Sequence, residues 1–358
     1  TNNCNLMCRY CYVSDSKINS KLYLMNYETL ENSINKILNY NNPKDETEFI
    51  WHGGEPLIAG IKFFEKTLNY QKNNPNSNMV INSIQTNLTL LNDKKLEFLV
   101  KNNFEIGTSI DGSEFVHNKN RIMKSGRGTF SLVYENLKKL KNYGLKVGAV
   151  VTLNKYNLGE MKLIYEMFKD FGVNFRINPV FFCNKKEREE SDFSITPKEY
   201  GEAMVELFDL WFFDKDQKIE IDTFTSILSN YIHGDPADCG YSGSCQDGFL
   251  LIDPYGDVYP CDKFDAMSDF KMGNIVSDNL EKILNSEIRQ KLRFRDVNKI
   301  SECKQCDYKE LCNAGCMYDA YVETGDFNKP SYFCEGDSLM FDHIKKKVDE
   351  QLEKARVK

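Results

Sequence analysis

No run of about 18 consecutive apolar residues occurs in the chain, so the sequence predicts no membrane-spanning helix. Positive charge does not dominate either: 46 Lys and Arg stand against 53 Asp and Glu, a net charge of −7, which disfavours a nucleic-acid partner. No secretory signal precedes the first cysteines, which disfavours a disulfide-stapled secreted domain. The 358 residues, 41% hydrophobic and 28% charged, predict a globular protein of about two domains.

Cysteine, by contrast, is abundant, with 12 residues, and in a chain of this size it indicates metal binding in a reducing cytoplasm. Cys4, Cys8 and Cys11 have the spacing C-x3-C-x2-C. Thiolates this close can hold one iron–sulfur cluster. A four-iron cubane takes four ligands, so three cysteines leave one iron open to a small molecule. The residues alone also allow a zinc site completed by a distant ligand, or buried inert thiols.

This three-of-four arrangement resembles the radical S-adenosylmethionine (SAM) superfamily, where an aromatic residue such as Tyr12 typically follows the third cysteine. The resemblance implies that the open iron binds the amino and carboxylate groups of SAM. It also implies that an electron from the cluster splits SAM into methionine and a 5′-deoxyadenosyl radical, which takes hydrogen from the substrate. Because oxygen attacks such clusters, we expect an anaerobic host.

A second motif, His52-Gly53-Gly54-Glu55-Pro56, follows a predicted strand that ends at Trp51. Paired glycines let the backbone pass close to a ligand, and a carboxylate beside them can accept from an ammonium group. The radical SAM resemblance implies that Gly53, Gly54 and Glu55 contact the amino group of SAM. Taken without its position, the motif is equally an ordinary Gly-Gly turn.

Strands and helices alternate with short loops over the first half of the chain, which predicts a parallel sheet. Only three residues precede the cluster loop, so we expect that a first strand is missing from the N-terminus. With that strand, six units emerge, and the resemblance implies a partial (βα)6 TIM-like barrel over residues 1–232. The elements expected from periodicity are 27–41, 63–71, 94–102, 130–143 and 161–171 as helices, and 48–51, 79–85, 105–110, 147–152 and 174–180 as strands.

Polar residues recur where the predicted strands end, at the edge where parallel folds bind ligands. By resemblance, Ser109 is a candidate for the SAM ribose and Arg121 for the SAM carboxylate. Ser109 is also explained as a turn residue, and Arg121 as a solvated loop arginine. The other polar strand ends are Gln85, Asn87, Asp111, Thr152 and Asn154.

The middle of the chain carries less information. The charged run 184–192 predicts a solvated loop, and Cys183, just before it, predicts a lone buried thiol. Thr196 and Pro197 predict the start of a helix. A domain boundary is expected near residues 230–236, where Gly234, Asp235 and Pro236 interrupt the pattern.

Eight more cysteines follow that boundary. Zinc ribbons would explain paired C-x2-C units, but eight thiols also equal two complete four-thiolate clusters. The pattern resembles the SPASM domain, which implies two auxiliary [4Fe–4S] clusters over 233–340, followed by a C-terminal helix over 341–358. Full ligation implies an electron-accepting or structural role. Carried over by resemblance, the first cluster takes Cys239, Cys245, Cys261 and Cys316, and the second takes Cys303, Cys306, Cys312 and Cys334.

Asp262 directly follows Cys261, and a carboxylate beside a cluster ligand is rigidly held, which suits proton abstraction. In the related sulfatase maturases, an aspartate at this position is taken as the base that removes a substrate proton. The alternative is an aspartate that caps a turn. No other nucleophile–base pair stands out in the sequence.

SPASM enzymes mostly modify peptides or proteins, so the resemblance implies three cofactor clusters, SAM, a peptide or protein substrate, and an electron donor such as flavodoxin or ferredoxin. Length and cysteine spacing fit the sulfatase maturases, which form formylglycine from Cys or Ser. However, Val13 stands where those enzymes usually have tyrosine, and His52 where they commonly have glutamine. We therefore favour a maturase that oxidises or crosslinks a ribosomally made precursor peptide in the cytoplasm. Sulfatase maturation and a non-catalytic zinc-binding module are the alternatives.

Overall fold

The computed structural model describes residues 1–15, 23–77, 79–236, 238–265 and 267–356. Its strands β1 to β5 form one parallel five-stranded sheet in the order β1-β2-β3-β4-β5, which confirms the predicted α/β class. A small antiparallel sheet, β6-β7-β8, lies later in the chain. The strands are Thr47–Trp51 (β1), Val80–Gln85 (β2), Glu105–Ser109 (β3), Val147–Leu153 (β4), Asn174–Pro179 (β5), Leu251–Ile252 (β6), Asp257–Tyr259 (β7) and Gly273–Asn274 (β8).

Helices separate the strands of the large sheet, as the alternation predicted. No helix among the described residues has the length and apolar character that crossing a bilayer requires. The helices are Tyr12–Asp15 (α1), Tyr27–Tyr40 (α2), Ile61–Asn73 (α3), Asp93–Lys101 (α4), Glu114–Asn120 (α5), Phe130–Asn142 (α6), Met161–Phe171 (α7), Lys185–Glu190 (α8), Pro197–Phe212 (α9), Asp222–His233 (α10), Cys245–Gly248 (α11), Leu280–Leu284 (α12), Glu287–Arg293 (α13), Lys309–Cys312 (α14), Met317–Thr324 (α15) and Cys334–Arg356 (α16).

Local signals explain where several helices begin and end. The side chain of Asn26 accepts from the N–H of Thr29 at 2.7 Å and caps α2. Thr196 and Glu199 form a reciprocal capping box at the start of α9, with Pro197 in the first turn. Helix α7 ends at Phe171 and is capped by Gly172, which is left-handed with φ 62°.

The chain folds into two compact units. The first unit comprises residues 1–110, 117–149 and 246–294, and the second comprises 111–116, 150–245 and 295–358. The domain bounds 1–232 and 233–340 were predicted from sequence motifs, whereas the two units are defined by spatial compactness. Those domain bounds therefore stay predictions. Helix α16 begins at Cys334 rather than at 341, and residues 357 and 358 of the predicted helix lie outside the described residues.

In the first unit, β1 pairs with β2 and β2 with β3, all parallel. The segment 246–294 joins this unit through Lys36 on α2, whose ammonium group donates to the carbonyls of Ile275 (2.6 Å), Val276 (3.2 Å) and Asp278 (2.9 Å). Apolar side chains of α12 and the small sheet form a buried cluster there. The carboxyl ends of β1 to β3 are thereby held in one unit with the loop that follows β7.

In the second unit, aromatic rings fill the core. Phe168 stacks on Phe175 with ring centroids 4.5 Å apart, and Phe208 meets Phe224 edge-on at 5.3 Å. Each such fully buried side chain contributes about 1.5–3 kcal/mol. The segment 295–334, which carries five cysteines, belongs to the same unit.

The run 184–192 is a helix, α8, rather than the solvated loop that its charge predicted. Asn184 caps it by accepting from the N–H of Glu187 at 2.9 Å. Two ion pairs with i,i+4 spacing, Lys185–Glu189 and Lys186–Glu190, both at 3.8 Å, line its exposed face. Cys183, expected to be buried, is half-buried.

Candidate active site and iron–sulfur centres

Cys4, Cys8 and Cys11 lie in one loop, and all three are half-buried. The N–H of Cys11 donates to the carbonyl of Cys8 at 3.1 Å, and the sulfur of Cys4 accepts from the N–H of Leu6 at 3.4 Å. Burial raises the pKa of Cys4, and the neighbouring Glu55 and Cys11 add to that rise. Three cysteines in one loop supply the donor chemistry that fits three corners of an iron–sulfur cubane.

Backbone hydrogen bonds fix the shape of this loop. The N–H of Met7 donates to the carbonyl of Ile122 at 2.8 Å, and the N–H of Arg9 donates to the carbonyl of Asn120 at 3.0 Å. Leu6 forms an isolated antiparallel bridge with Met123. The loop is therefore held from one side by the segment that follows α5.

The glycine pair brings the start of the chain close to the turn after β1. The N–H of Gly54 donates to the carbonyl of Thr1 at 2.7 Å, and that of Glu55 donates to the carbonyl of Asn3 at 2.8 Å. A Cβ on Gly53 would lie 2.3 Å from the Thr1 carbonyl oxygen, and one on Gly54 would lie 2.2 Å from that of Asn3. Gly53 also has φ +126°. The glycines are thus required for the close approach of the protein's own backbone at Thr1 and Asn3, and their predicted contact with SAM stays a prediction.

Glu55 is completely buried and binds three protein donors. One carboxylate oxygen, Oε1, accepts from the N–H of Leu57 at 2.9 Å and from the hydroxyl of Thr86 at 2.8 Å. The other, Oε2, accepts from the N–H of Asn87 at 2.8 Å. Burial raises the pKa of Glu55, and these hydrogen bonds oppose the rise. A carboxylate has about four lone-pair sites, so a site on Oε2 remains for an ammonium group; this SAM contact stays a prediction.

Replacing Glu55 by alanine is expected to lower both stability and SAM affinity. It leaves three buried or half-buried donors without their acceptor, which costs on the order of 2–4 kcal/mol. Glu55→Gln keeps an acceptor for Leu57 and Thr86 and should unfold at a higher denaturant concentration than Glu55→Ala, yet still bind SAM more weakly than the wild type. Chemical unfolding and SAM titration measure the two effects separately, with the exposed Glu65→Ala as control. Wild-type SAM affinity in both Glu55 variants would exclude the ammonium contact.

Asn87 connects this carboxylate to the cluster loop. Its backbone N–H binds Glu55, while its side-chain amide approaches the sulfur of Cys4 at 3.8 Å and donates to the carbonyl oxygen of the Asn5 side chain at 3.1 Å. From the sequence, Asn87 was predicted to lie at the end of a strand, and no role was assigned to it. Its contacts join residues 83 and 82 positions apart, which spacing alone does not reveal.

Ser109 and Arg121 lie where the strand ends and the cluster loop meet. The hydroxyl of Ser109, the last residue of β3, accepts from the side-chain amide of Gln85 at 3.2 Å. The guanidinium of Arg121 lies 5.4 Å from the ring centroid of Tyr10, within the cluster loop. Both are half-buried, and their contacts with SAM stay predictions.

Asp262 faces the cluster loop. The hydroxyl of Tyr12 donates to its Oδ2 at 3.5 Å, across 250 positions of sequence. Burial raises the pKa of Tyr12 well above its usual value, and the charge of Asp262 adds to the rise. Asp262 is exposed and opens a short 3-10 helix directly after the extended Cys261. A carboxylate is thereby held beside Cys11 and Tyr12, within one unit.

His52 belongs to the same neighbourhood. It follows β1 directly, and burial lowers the pKa of its imidazole, while the charges of Asp262 and Asp265 oppose that change. The sequence drew attention to His52 only as a departure from the sulfatase maturases. Its electrostatic contact with Asp262 depends on the position of the 261–265 loop, which no local pattern predicts.

The second predicted auxiliary set lies wholly in the second unit. Cys303 and Cys312 are buried, and Cys306 and Cys334 are half-buried. Burial raises the pKa of Cys334 to about 11, and the charges of Asp337, Cys303 and Cys306 add to the rise. Burial likewise raises the pKa of Cys312, with contributions from Cys334, Cys303 and Cys306. Four mutually coupled free thiols fit a cluster with four thiolate ligands.

The first predicted auxiliary set divides between the units: Cys261 belongs to the first, and Cys239, Cys245 and Cys316 to the second. Their grouping around one cluster stays a prediction. Across the described residues, no three His, Cys, Asp or Glu side chains are placed to hold a single metal ion.

Comparison with known proteins agrees with these donor sets. Residues 1–168 match the radical SAM superfamily, and residues 244–307 match SPASM, an iron–sulfur cluster-binding domain. The chain is 30% identical over 368 residues to the serine-type anaerobic sulfatase-maturating enzyme of Bacteroides thetaiotaomicron, covering 97% of this chain and 88% of the relative. It is also 30% identical over 349 residues to the cysteine-type enzyme of Clostridium novyi, covering 96% and 92%.

Solved structures agree with this assignment. Native anSMEcpe with bound AdoMet superposes with a TM-score of 0.89 at 27% identity, covering 98% of this chain and 96% of that one. The same protein with AdoMet and the Kp18Cys peptide gives a TM-score of 0.88, also at 27% identity, covering 99% and 97%. SAM and [4Fe–4S] clusters are the cofactors that belong with these two domains. The chain is therefore a radical SAM protein with a SPASM domain, and it belongs to the family of the anaerobic sulfatase-maturating enzymes.

Proposed function

We propose that this protein oxidises a cysteine or serine side chain of a sulfatase to formylglycine. One observation carries the proposal beyond radical SAM chemistry in general: Asp262, the candidate base, lies against Tyr12 of the cluster loop at 3.5 Å. A base placed beside the loop that is assigned to the radical-generating cluster can take the proton from the hydroxyl or thiol of the same substrate side chain. The nearly full-length similarity to two sulfatase-maturating enzymes supports the same activity.

The comparisons favour this function over precursor-peptide maturation, which Val13 and His52 led us to prefer from the sequence. Those are two local substitutions, whereas the similarity to the maturases extends over 97% and 96% of the chain. The charge of Asp262 also acts on the imidazole of His52, so the two residues belong to one neighbourhood. Because the chain belongs to the radical SAM superfamily, we no longer propose the alternative of a non-catalytic zinc-binding module.

The chemistry assigns distinct tasks to the residues. When bound, the barrel cluster and SAM supply a radical that removes one hydrogen atom from the substrate β-carbon. Cys4, Cys8 and Cys11 hold that cluster. Asp262 accepts the proton that the hydroxyl or thiol of the target side chain releases as its β-carbon is oxidised. The SAM contacts are assigned to Gly53, Gly54, Glu55, Ser109 and Arg121.

The overall reaction removes two electrons. Serine loses two hydrogen atoms and becomes an aldehyde directly, whereas cysteine gives a thioaldehyde that water hydrolyses with loss of hydrogen sulfide. One electron leaves with the hydrogen atom, and we assign the other to an auxiliary cluster. We further propose three clusters in total, a flavodoxin or ferredoxin as the external electron donor, and a cytoplasmic setting in an anaerobic host.

A peptide panel tests the proposal. The reduced, reconstituted protein is incubated with SAM and three sulfatase-derived peptides that differ only in the target residue: cysteine, serine or alanine. We expect an aldehyde, detected by mass spectrometry and hydrazine trapping, from the cysteine peptide, the serine peptide or both, and none from the alanine peptide. Crosslinked peptide without aldehyde would instead support precursor-peptide maturation.

A further inference from the structure

Arg295, at the start of the last segment of the second unit, is half-buried, and its guanidinium lies in a cage of backbone carbonyls. A guanidinium has five N–H donors, and here all five are used by carbonyl oxygens rather than by a carboxylate. No protein carboxylate therefore neutralises the group through these hydrogen bonds. The acceptors are Phe327 (Nε, 2.7 Å), Asn313 (Nη1, 3.3 Å), Gly315 (Nη1, 2.7 Å), Ala314 (Nη2, 3.0 Å) and Lys329 (Nη2, 2.7 Å).

Three of these carbonyls belong to consecutive residues with left-handed backbone. Asn313, Ala314 and Gly315 have φ of 48°, 66° and 67°. Glycine adopts this left-handed region without strain. Alanine is strained there, and its methyl group can form no local hydrogen bond that would offset the strain. Ala314 is nevertheless buried, and its carbonyl also accepts from the N–H of Ser331 at 2.9 Å. The guanidinium therefore holds a conformation that this sequence would not favour alone.

The loop that Arg295 holds separates ligands assigned to different clusters. Cys312 precedes it and belongs to the second auxiliary set, while Cys316 follows it and belongs to the first. Arg295 is also electrostatically coupled to both sets. Burial lowers the pKa of Arg295, and the sulfurs of Cys316, Cys312, Cys245 and Cys303 oppose that change.

We propose that Arg295 is a positioning residue shared by both auxiliary clusters: it fixes the loop 313–315 between their ligands and supplies one positive charge to both. A positive charge favours the more negative, reduced form of a cluster and so raises its reduction potential. A planar fork with five donors performs both tasks, which the ammonium group of lysine, with three donors, cannot. The proposal rests on the assignment of the auxiliary ligands and not on the identity of the substrate.

The test compares Arg295→Gln, which removes charge and fork, with Arg295→Lys, which keeps the charge alone. Holoenzyme is reconstituted anaerobically, iron is counted, and the potential of each cluster is measured by redox titration followed by electron paramagnetic resonance. We expect both auxiliary potentials to fall in Arg295→Gln, to fall less in Arg295→Lys, and the barrel potential to stay unchanged. Arg293→Gln, which removes a nearby and more exposed arginine paired with Asp247, is the matched control and should leave all potentials unchanged.

Loss of both auxiliary clusters in Arg295→Gln would lower the iron content from roughly twelve to roughly four per chain. That loss would support the positioning role of Arg295 even if the reduction potentials could not be measured. A shift or loss confined to one auxiliary cluster would overturn the shared role, as would unchanged potentials of both. No peptide is added, so the result stands apart from the peptide panel. If the wild-type protein contained zinc and no labile sulfide, the assignment of the cysteines to iron–sulfur clusters would itself be refuted.

Discussion

Replacing Cys4, Cys8 and Cys11 together by alanine is expected to abolish SAM cleavage while leaving the auxiliary clusters in place. The three thiols are the proposed protein ligands of the barrel cluster. Their loop is held by its own hydrogen bonds to Asn120 and Ile122, so we expect the fold not to depend on the thiols. Iron should fall from roughly twelve to roughly eight per chain. The measurement is 5′-deoxyadenosine formed in the presence of reductant, together with iron and sulfide content.

The matched control is Cys183→Ala, which removes a half-buried thiol outside all three ligand sets. It should keep full iron content and full SAM cleavage. Continued 5′-deoxyadenosine formation by the triple variant would refute the barrel-cluster assignment. Loss of all iron from the triple variant would show that the loop supports the whole fold.

Asp262→Asn is expected to lower aldehyde formation by about 10²–10⁴-fold, the usual effect of removing a general base, while SAM cleavage continues. Asparagine keeps the shape and can still accept from Tyr12, but it cannot take a proton from the substrate. Hydrogen abstraction precedes that step, so 5′-deoxyadenosine should accumulate without an equal amount of product. Both compounds are quantified in the same reaction with the peptide that the wild-type protein converts.

Asp269→Asn is the control, because Asp269 is an exposed aspartate seven positions later in the same segment. It should leave the ratio of product to 5′-deoxyadenosine unchanged. If product and 5′-deoxyadenosine fell in step in Asp262→Asn, or if neither fell, Asp262 would only brace the turn after Cys261.

Local patterns predicted much of the fold. Helix α7 spans Met161–Phe171, the range that its apolar period indicated, because five of its side chains are buried on one face. The capping box at Thr196 marks the start of α9. In contrast, the helix α8 was missed, because the i,i+4 ion pairs that stabilise it look like a solvated charge run until the cap at Asn184 is recognised.

The candidate site divides in the same way. The cysteine motifs and the Gly53–Glu55 turn are contiguous, so the sequence shows them directly. Other parts of the site depend on tertiary contacts between distant segments. These are the approach of Asn87 to Cys4, the hydrogen bond from Tyr12 to Asp262, and the hydrogen bonds of Arg295 to the loop 313–315. Glu55 shows the limit most clearly: its motif predicted a ligand contact, but the carboxylate is buried and bound to three protein donors, which no pattern in the motif indicates.

The most direct test of the account follows a single hydrogen atom. A cysteine or serine peptide carrying deuterium on both β-carbon positions of the target residue is incubated with reduced protein and SAM. If the protein is a radical SAM sulfatase maturase, one deuterium appears in 5′-deoxyadenosine for each formylglycine formed, and the aldehyde keeps the other. Formation of 5′-deoxyadenosine without deuterium, or a modified peptide that retains both, would contradict the account.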